Sequence, residues 1–445
     1  MIECGCQCHR PRAANRYLAR PQVQRARTHL GQSTGHPSIA GLPIAFSQKL
    51  FRLISSYLEK VKVPVKTTLP VGFYNFHKNK FYNLQLNRWY SEGYTRLIDL
   101  KKGASLIKNF DDYKNAFLGL AEEALAEGRM KNAAFYYRAA EFLVKPSDPD
   151  KLRLYDKFLD VFYEAFKDDN IERYKVPYEK GFLPAMRLAP EGDKKGTILI
   201  HGGFDSFIEE FYCFTKIFSE NGYEVIAFEG PGQGGALRKY NLASDHAWEK
   251  PTKAILDFFK LMDVAILGIS MGGYWCLRAA AFEKRIRWVI VFPPLFDWME
   301  GTSGFSRFMV NAMMKWEGLM RAGIRMKMKA PMIEHVINNT LFIAQKTDLL
   351  DVVRWEMAMN KEFLHSELVD QDVLLLGGEE DFFQPLVLYH KQWKALIHAK
   401  SITGRIFAKA DQCPYHIGIG NIGLTIDVMV EWLDEKTGEQ RKASP

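Results

Sequence analysis

The spacing of apolar residues changes near residue 174 and divides the chain into two regions. Before that point apolar side chains recur at helical spacing, and residues 111–126 and 129–143 are predicted to form a pair of helices. After it, residues 174–179 and 182–189 show the pattern of a β-hairpin. Short apolar runs then alternate with longer helical stretches, which predicts a mostly parallel sheet with helices on both faces.

The strands of this sheet are predicted from six short apolar runs, at residues 197–200, 224–228, 264–267, 288–292, 373–376 and 405–408. Their spacing is regular except between residues 292 and 373, where the chain is far longer than a crossover requires. We therefore expect residues 297–370 to form a helical lid insertion above the sheet. That segment carries ten of the sixteen methionines.

These patterns predict an α/β fold with four parts. They are a basic tail at 1–45, an N-terminal helical domain at 46–172, an α/β domain at 173–296 and 371–438, and the lid insertion at 297–370. The helical pair resembles one tetratricopeptide hairpin, but such repeats need about three copies to bury a core. A hairpin packed on its neighbour is therefore favoured over a peptide-binding array.

The charge of the chain is concentrated in the tail. The 60 basic and 52 acidic residues give a net charge of +8, of which the six arginines and one acid of residues 1–45 supply +5. A nucleic-acid-binding protein usually carries a basic face on its folded body, so the nearly balanced remainder argues against a nucleic-acid partner. Because the chain has no run of 18 apolar residues, neither a membrane span nor a membrane partner is expected.

The six cysteines favour a cytoplasmic protein with reduced thiols over a disulfide framework. Cys4, Cys6 and Cys8 lie close together beside His9, but no second pair of ligands follows at zinc-site spacing. No metal and no cofactor are therefore expected.

Residues 268–272 (GISMG) carry the sharpest chemical signal, a G-x-S-x-G motif between a predicted strand and a predicted helix. In that context the serine sits on a tight turn, where a side chain at either glycine would collide with the neighbouring backbone. The turn would lift the Ser270 hydroxyl into the cleft at the carboxyl ends of the strands. We therefore predict Ser270 as a nucleophile, against the alternative of a plain Gly-Ser turn.

A serine nucleophile needs a histidine base and an orienting acid. Asp381 follows the strand at 373–376 and a glycine turn, and it is the predicted acid, with Asp297 as runner-up; the neighbouring Glu379 and Glu380 are expected to be solvated. His416 lies in a loop after the last strand and is the predicted base. The chain order Ser, Asp, His is the one that α/β-hydrolases use.

Backbone N–H groups should complete the site as donors to an oxyanion. The strand at 197–200 leads into a glycine-rich loop, in which we expect the Phe204 N–H to donate, with Gly203 as the fallback. The Met271 N–H is the second expected donor. His201 is expected to brace the loop, because His416 already fills the role of base.

A second glycine-rich segment, residues 230–235 (GPGQGG), matches the G-x-G-x-x-G pattern of dinucleotide-binding turns. Such a turn needs free N–H groups and an immediate helix, whereas Pro231 removes a donor and no clear amphipathic helix follows. We therefore interpret the segment as a tight turn that lines the cleft.

Taken together, these motifs resemble the α/β-hydrolase superfamily, and more narrowly the branch with 2,6-dihydroxypseudooxynicotine hydrolase, the yellowish-green-type polyketide-shortening hydrolases and the FrsA-like esterases. The resemblance runs from about residue 85 to 435 and rests on GRMKNAAFYYRAAEFL, HGGFDSFIEEFY, FEGPGQGG, GISMGG, GGEEDFFQP and the histidine loop. That loop reads QCPYHIG, whereas in this branch the histidine often follows an acidic pair. The resemblance implies serine-dependent hydrolysis of an ester or of a C–C bond next to a ketone.

The expected partner is a small carbonyl substrate with an apolar or aromatic body. The lid residues Met309, Met313, Met314, Met320, Met326, Met328, Met332 and Trp316 could form an adaptable apolar surface over the cleft. The alternative is that they pack the core of the lid itself. An oligopeptidase-like hydrolase and a non-catalytic binding module remain rival functions, and the sequence leaves monomer and homodimer both open.

Overall fold

The computed structural model describes residues 66–443. The predictions for the tail at 1–45, including its cysteines, and for the first part of the helical domain therefore lie outside the described residues. Within the described part, the change of hydrophobic period near residue 174 coincides with a change from helices to a sheet.

Between residue 66 and the sheet, the described chain forms five α-helices. They are α1 (Lys80–Ser91), α2 (Leu97–Ala104), α3 (Phe110–Ala126), α4 (Met130–Phe142) and α5 (Asp150–Ala165). Small residues on α4, such as Ala133 and Ala140, are fully buried and allow its neighbours to approach closely. Between the helices, the Trp89 indole N–H donates to the Tyr113 hydroxyl at 2.7 Å, so both of these buried polar groups are paired.

Eight strands form one sheet. They are β1 (Glu172–Tyr178), β2 (Gly181–Leu188), β3 (Gly196–His201), β4 (Tyr223–Phe228), β5 (Val264–Ile269), β6 (Ile286–Phe292), β7 (Asp372–Gly378) and β8 (Ser401–Phe407). Their order is β1-β2-β4-β3-β5-β6-β7-β8. The pairs β1–β2 and β2–β4 are antiparallel, and all the others are parallel. The predicted mostly parallel sheet is confirmed.

Helices cover both faces of the sheet. They are α6 (Tyr212–Glu220), α7 (Gly234–Arg238), α8 (Glu249–Phe258), α9 (Gly272–Phe282), α15 (Leu386–Ala395) and α16 (Ile422–Ala443). Because side chains alternate along a strand, Ile198 and Ile200 of β3 join one core with the N-terminal helices, whereas Leu199 joins the core beneath α9. One face of the sheet therefore packs directly on the N-terminal helical region.

Five helices lie between β6 and β7, in the segment expected to form the lid. They are α10 (Gly304–Met314), α11 (Glu317–Lys327), α12 (Pro331–Ala344), α13 (Leu349–Ala358) and α14 (Lys361–Leu364). Met320, Ile324, Ile337, Leu350 and Val352 form a small buried cluster of their own. This segment therefore has a separate core above the carboxyl ends of the strands.

Candidate active site

Ser270 occupies the turn between β5 and α9 in a left-handed conformation, with φ of 60°. A Cβ on Gly268 would come within 2.1 Å of the Gly272 carbonyl oxygen, and one on Gly272 within 2.7 Å of the Gly202 carbonyl oxygen. Glycine is therefore required at both positions, as the motif predicts. The Ser270 N–H donates to the Phe292 carbonyl at 2.6 Å and ties the turn to β6.

The structure brings Ser270, His416 and Asp381 into one chain of hydrogen bonds. The Ser270 Oγ lies 2.8 Å from His416 Nε2, and His416 Nδ1 lies 2.7 Å from Asp381 Oδ2. Since a carboxylate can only accept, Nδ1–H donates to Asp381, which leaves Nε2 free to accept the serine proton. The hydrogen bonds therefore join the three side chains in the order serine, histidine, aspartate, which is the order that the predicted roles require.

Asp381 is held by its backbone surroundings as well as by His416. Its Oδ1 accepts from the Phe383 and Gln384 N–H groups at 2.9 and 3.0 Å, and the side chain is buried. These bonds stabilise the carboxylate and fix its position beneath the imidazole. The sequence prediction of Asp381 matches this placement.

The competing acids lie elsewhere. Glu379 and Glu380 are exposed, and Glu380 pairs with Lys409. Asp297, the runner-up acid, accepts from the backbone N–H groups of Met299, Glu300 and Lys361. These bonds place Asp297 at the junction between β6 and the lid rather than behind His416.

The expected oxyanion donors lie on adjoining loops. A Cβ on Gly203 would come within 2.7 Å of the Met271 nitrogen, so the loop after β3 packs directly against the nucleophile turn. The Phe204 and Met271 N–H groups have no acceptor among the described residues, and both residues line the same cavity as Ser270. This leaves both N–H groups available to a ligand, although their role as donors stays a prediction.

His201 lies in the core behind this loop. Its Nδ1 donates to the Gly202 carbonyl at 3.1 Å, and its ring packs between Phe228 and Trp248. Burial lowers the pKa of His201 to about 4, so the imidazole is neutral at physiological pH. This position suits the bracing role that the sequence predicts.

The glycine-rich turn at 230–235 does not line the cavity, and this part of the sequence interpretation is wrong. It lies behind the loop that follows β3, where Gln233 Nε2 donates to the Gly202 and Gly203 carbonyls at 2.9 and 2.8 Å. The Gln233 Oε1 accepts from the Gly230 N–H at 2.9 Å. Gln233 therefore fixes the direction of both loop carbonyls, and with them the N–H groups on the opposite side of each peptide.

A buried ionic network holds the next residue of the loop. The Asp205 carboxylate accepts from Arg238 at 2.9 Å and from Asn339 of α12 at 3.1 Å, and its carbonyl accepts from Arg138 of α4 at 3.2 Å. Burial would raise the pKa of Asp205, but Arg238, Lys151 and Arg138 outweigh it and hold the pKa well below its usual value. The N-terminal helices and the lid therefore both anchor the loop that carries Phe204.

The Ser270 hydroxyl faces a cavity of about 230 Å³. Its apolar lining is mostly aromatic and consists of Phe81, Phe142, Phe204, Phe211, Met271, Leu295, Trp298, Met332, Val336, Trp355, Phe383 and Ile417. Of the eight lid residues considered in the sequence, Met332 alone lines it. Met313, Met314, Met320 and Met328 pack in the lid core, and Trp316 is 72% exposed. The alternative that the methionines pack the lid itself therefore fits most of them.

No helix between residues 66 and 443 combines the length and apolar character needed to cross a membrane. In the same range, no three His, Cys, Asp or Glu side chains are grouped so that they could hold a metal ion.

Sequence comparison places residues 197–416 in a match to the profile of the alpha/beta hydrolase family. Hydrolase acrC from Aspergillus aculeatus is 31% identical over 259 residues, which cover 46% of this chain and 60% of that protein. The 20-hydroxy-prefusarin hydrolase FUS2 from Gibberella moniliformis is 35% identical over 197 residues, covering 38% and 46% respectively. The matches span less than two thirds of either relative.

The likeness to solved structures extends beyond the sheet. The 2,6-dihydroxy-pseudo-oxynicotine hydrolase aligns with a TM-score of 0.56 and 18% identity, covering 80% of this chain and 95% of that one. AbyA5 aligns with a TM-score of 0.58 and 15% identity, covering 76% of this chain and 90% of AbyA5. At these identities the likeness concerns the fold, which includes the helices before the sheet.

Proposed function

This chain contains an α/β-hydrolase domain, and from that premise we propose that it is a serine-dependent hydrolase of carbonyl compounds. The observation that carries the proposal is the chain of hydrogen bonds from Ser270 Oγ through His416 to Asp381, at 2.8 and 2.7 Å. A structural serine needs no such arrangement. The hydrogen-bonded chain makes Ser270 a nucleophile because His416 can accept the proton of its hydroxyl group.

In the first step, His416 Nε2 removes the hydroxyl proton of Ser270 as Oγ attacks the substrate carbonyl carbon. Asp381 stabilises the imidazolium that forms. The Phe204 and Met271 N–H groups would donate to the oxyanion, each worth on the order of 3 kcal/mol of transition-state stabilisation. Gln233 supports this step from behind, since it orients the loop that presents the Phe204 N–H.

Collapse of the tetrahedral intermediate then expels the leaving group, and His416 returns its proton to it. The leaving group is an alkoxide if the substrate is an ester and an enolate if the substrate is a β-diketone. Water, activated by His416, hydrolyses the acyl-serine and releases the acid. The same residues serve both reactions, so the proposed class is ester or C–C bond hydrolysis next to a ketone.

The cavity favours a substrate with an apolar or aromatic body. Aromatic side chains make up most of its apolar lining, and the lid covers the carboxyl ends of the strands. Among the relatives, FUS2 is named a hydrolase of 20-hydroxy-prefusarin, and the structural relative a hydrolase of 2,6-dihydroxy-pseudo-oxynicotine. These names support a small organic substrate rather than a peptide.

Phenyl benzoate and benzoylacetone separate the two reaction types. The ester yields phenol and benzoate, whereas cleavage of the diketone yields acetone with benzoate or acetophenone with acetate. We expect the purified full chain to hydrolyse at least one of them, because both present a carbonyl carbon next to an aromatic ring. Product analysis by liquid chromatography identifies the reaction, and failure to hydrolyse either compound would contradict the proposed function.

A further inference from the structure

Five residues that line the cavity each carry a buried polar atom with no hydrogen-bond partner among the described residues. These atoms are Gln85 Oε1, His335 Nδ1, Asn339 Oδ1, Trp355 Nε1 and Gln384 Oε1; the Glu210 carboxylate, which also lines the cavity, is ion-paired with Arg88 and Arg138. A buried polar group without a partner destabilises a fold, so native proteins contain few of them. Their concentration around one cavity points to a ligand that would pair with them.

The orientation of two of these amides is fixed by their other atom. Asn339 Nδ2 donates to the Asp205 carboxylate at 3.1 Å, and Gln384 Nε2 donates to the Ser270 carbonyl at 3.1 Å. The free atom of each is therefore the oxygen, which can only accept. The ligand that satisfies them must bring hydrogen-bond donors.

Gln85 of α1 is a third such group. Its side chain is 4% exposed, lines the cavity, and makes no hydrogen bond to any described residue. The amide could be replaced by the similarly shaped leucine without leaving a protein group unpaired. Leucine at this position should therefore stabilise the fold at least as well as glutamine does.

Glu356 of α13 adds a carboxyl group to the same cavity. It forms no ion pair or side-chain hydrogen bond with the described residues, and burial raises its pKa to about 7. An isolated carboxyl group in a cavity is a candidate for ligand binding. Arg88 and Arg138 also line the cavity but are ion-paired with Glu210, so a hydrogen-bond donor on the ligand would supply the partner that Glu356 lacks.

We propose that the cavity selects substrates whose apolar or aromatic body carries hydroxyl or N–H groups, with Gln85, Asn339 and Glu356 as acceptors. The proposal rests on the proposed hydrolase activity and names the substrate class of the same site. A site built to pair with a hydroxyl group discriminates strongly against an analogue that lacks it, because the acceptors of the protein then stay unpaired.

The kinetic test compares phenyl 3,5-dihydroxybenzoate with phenyl benzoate, each rate being divided by the rate of uncatalysed hydrolysis. The wild-type protein should show a kcat/KM at least about 100-fold higher for the dihydroxy ester. Gln85→Leu should reduce this preference about tenfold and raise the melting temperature, because it removes an unpaired buried amide. A purely structural glutamine would lower the melting temperature on replacement and leave the preference unchanged.

Gln392→Leu is the matched control. Gln392 is equally buried, but its Nε2 donates to the Ser366 hydroxyl at 3.0 Å, and it does not line the cavity. This replacement should lower the melting temperature and leave the preference unchanged. Equal kcat/KM for the two esters in the wild-type protein would overturn the proposal. A Gln85→Leu variant that keeps the wild-type preference for the dihydroxy ester would overturn it too.

A binding measurement keeps this test independent of turnover. By calorimetry, 3,5-dihydroxyacetophenone should bind the wild-type chain at least about tenfold more tightly than acetophenone. Equal affinities would overturn the proposed selectivity even if both esters are hydrolysed. If neither the esters nor benzoylacetone are hydrolysed but the dihydroxy ketone binds more tightly, the proposed reaction fails and the ligand class stands.

Discussion

Replacement of Ser270 by alanine should lower kcat for a hydrolysed carbonyl substrate by at least about 10⁴-fold. The variant loses the atom that bonds to the substrate carbon, and neither His416 nor the oxyanion donors can replace it. The fold should be unaffected, since alanine keeps the Cβ that the φ of 60° already accommodates. Steady-state kinetics on the full chain measures the loss, and circular dichroism with a thermal melt establishes that the variant is folded.

Ser105→Ala serves as the matched control for this replacement. Ser105 is exposed, and its hydroxyl donates only to the Lys102 carbonyl at the end of α2. Its removal should leave kcat at the wild-type value. A folded Ser270→Ala protein that retains turnover would show that another group is the nucleophile.

Asp381→Asn should lower kcat by about 10⁴-fold, because an asparagine cannot hold His416 in the required tautomer. The asparagine oxygen can still accept from the Phe383 and Gln384 N–H groups, so the loop should keep its shape. The side-chain NH₂ would then face His416 Nδ1, which must become an acceptor. The proton moves to Nε2, and the base can no longer accept from Ser270.

Asp297→Asn makes the same chemical change at the runner-up acid. Its contacts are the backbone N–H groups of Met299, Glu300 and Lys361, so the change should lower the melting temperature and alter kcat by less than about tenfold. Parallel kinetics of the two variants assigns the acid. Equal losses of kcat, or a larger loss in Asp297→Asn, would contradict the assignment of Asp381.

The fold and the three residues of the hydrogen-bonded chain could be predicted because each depends on a local pattern. Ser270, Asp381 and His416 each follow a strand that the hydrophobic period identifies. The carboxyl ends of parallel strands meet at one edge of a sheet, so residues distant in sequence are brought together there. The order of the strands was not needed for this inference.

The function of Gln233 could not be found in this way. Its partners, Gly202 and Gly203, lie about 30 residues earlier, and the contact exists only because β3 and β4 are neighbours. A periodic pattern identifies strands without telling which strands pair. The sequence offers one signal for this contact, a single polar side chain within a glycine-rich turn.

The burial of charged side chains and the orientation of the lid methionines could not be predicted for a related reason. Arg138 lies within a helix, where a charged residue is usually solvent-exposed, but its side chain is fully buried against Glu141 and Glu210. The composition of the lid indicates adaptable apolar side chains and says nothing about which face they occupy. The packing of α11 on its neighbours directs Met320 into the lid core instead of the cavity.

Covalent labelling locates the nucleophile most directly. Diisopropyl fluorophosphate transfers its phosphoryl group to an activated serine oxygen and releases fluoride, and mass spectrometry of the digested chain identifies the modified residue. The geometry predicts one adduct, on Ser270, formed rapidly by the wild-type protein and slowly by the Asp381→Asn variant. Absence of an adduct, or modification of another serine such as Ser206 of the same cavity, would contradict the assignment of Ser270 as the nucleophile.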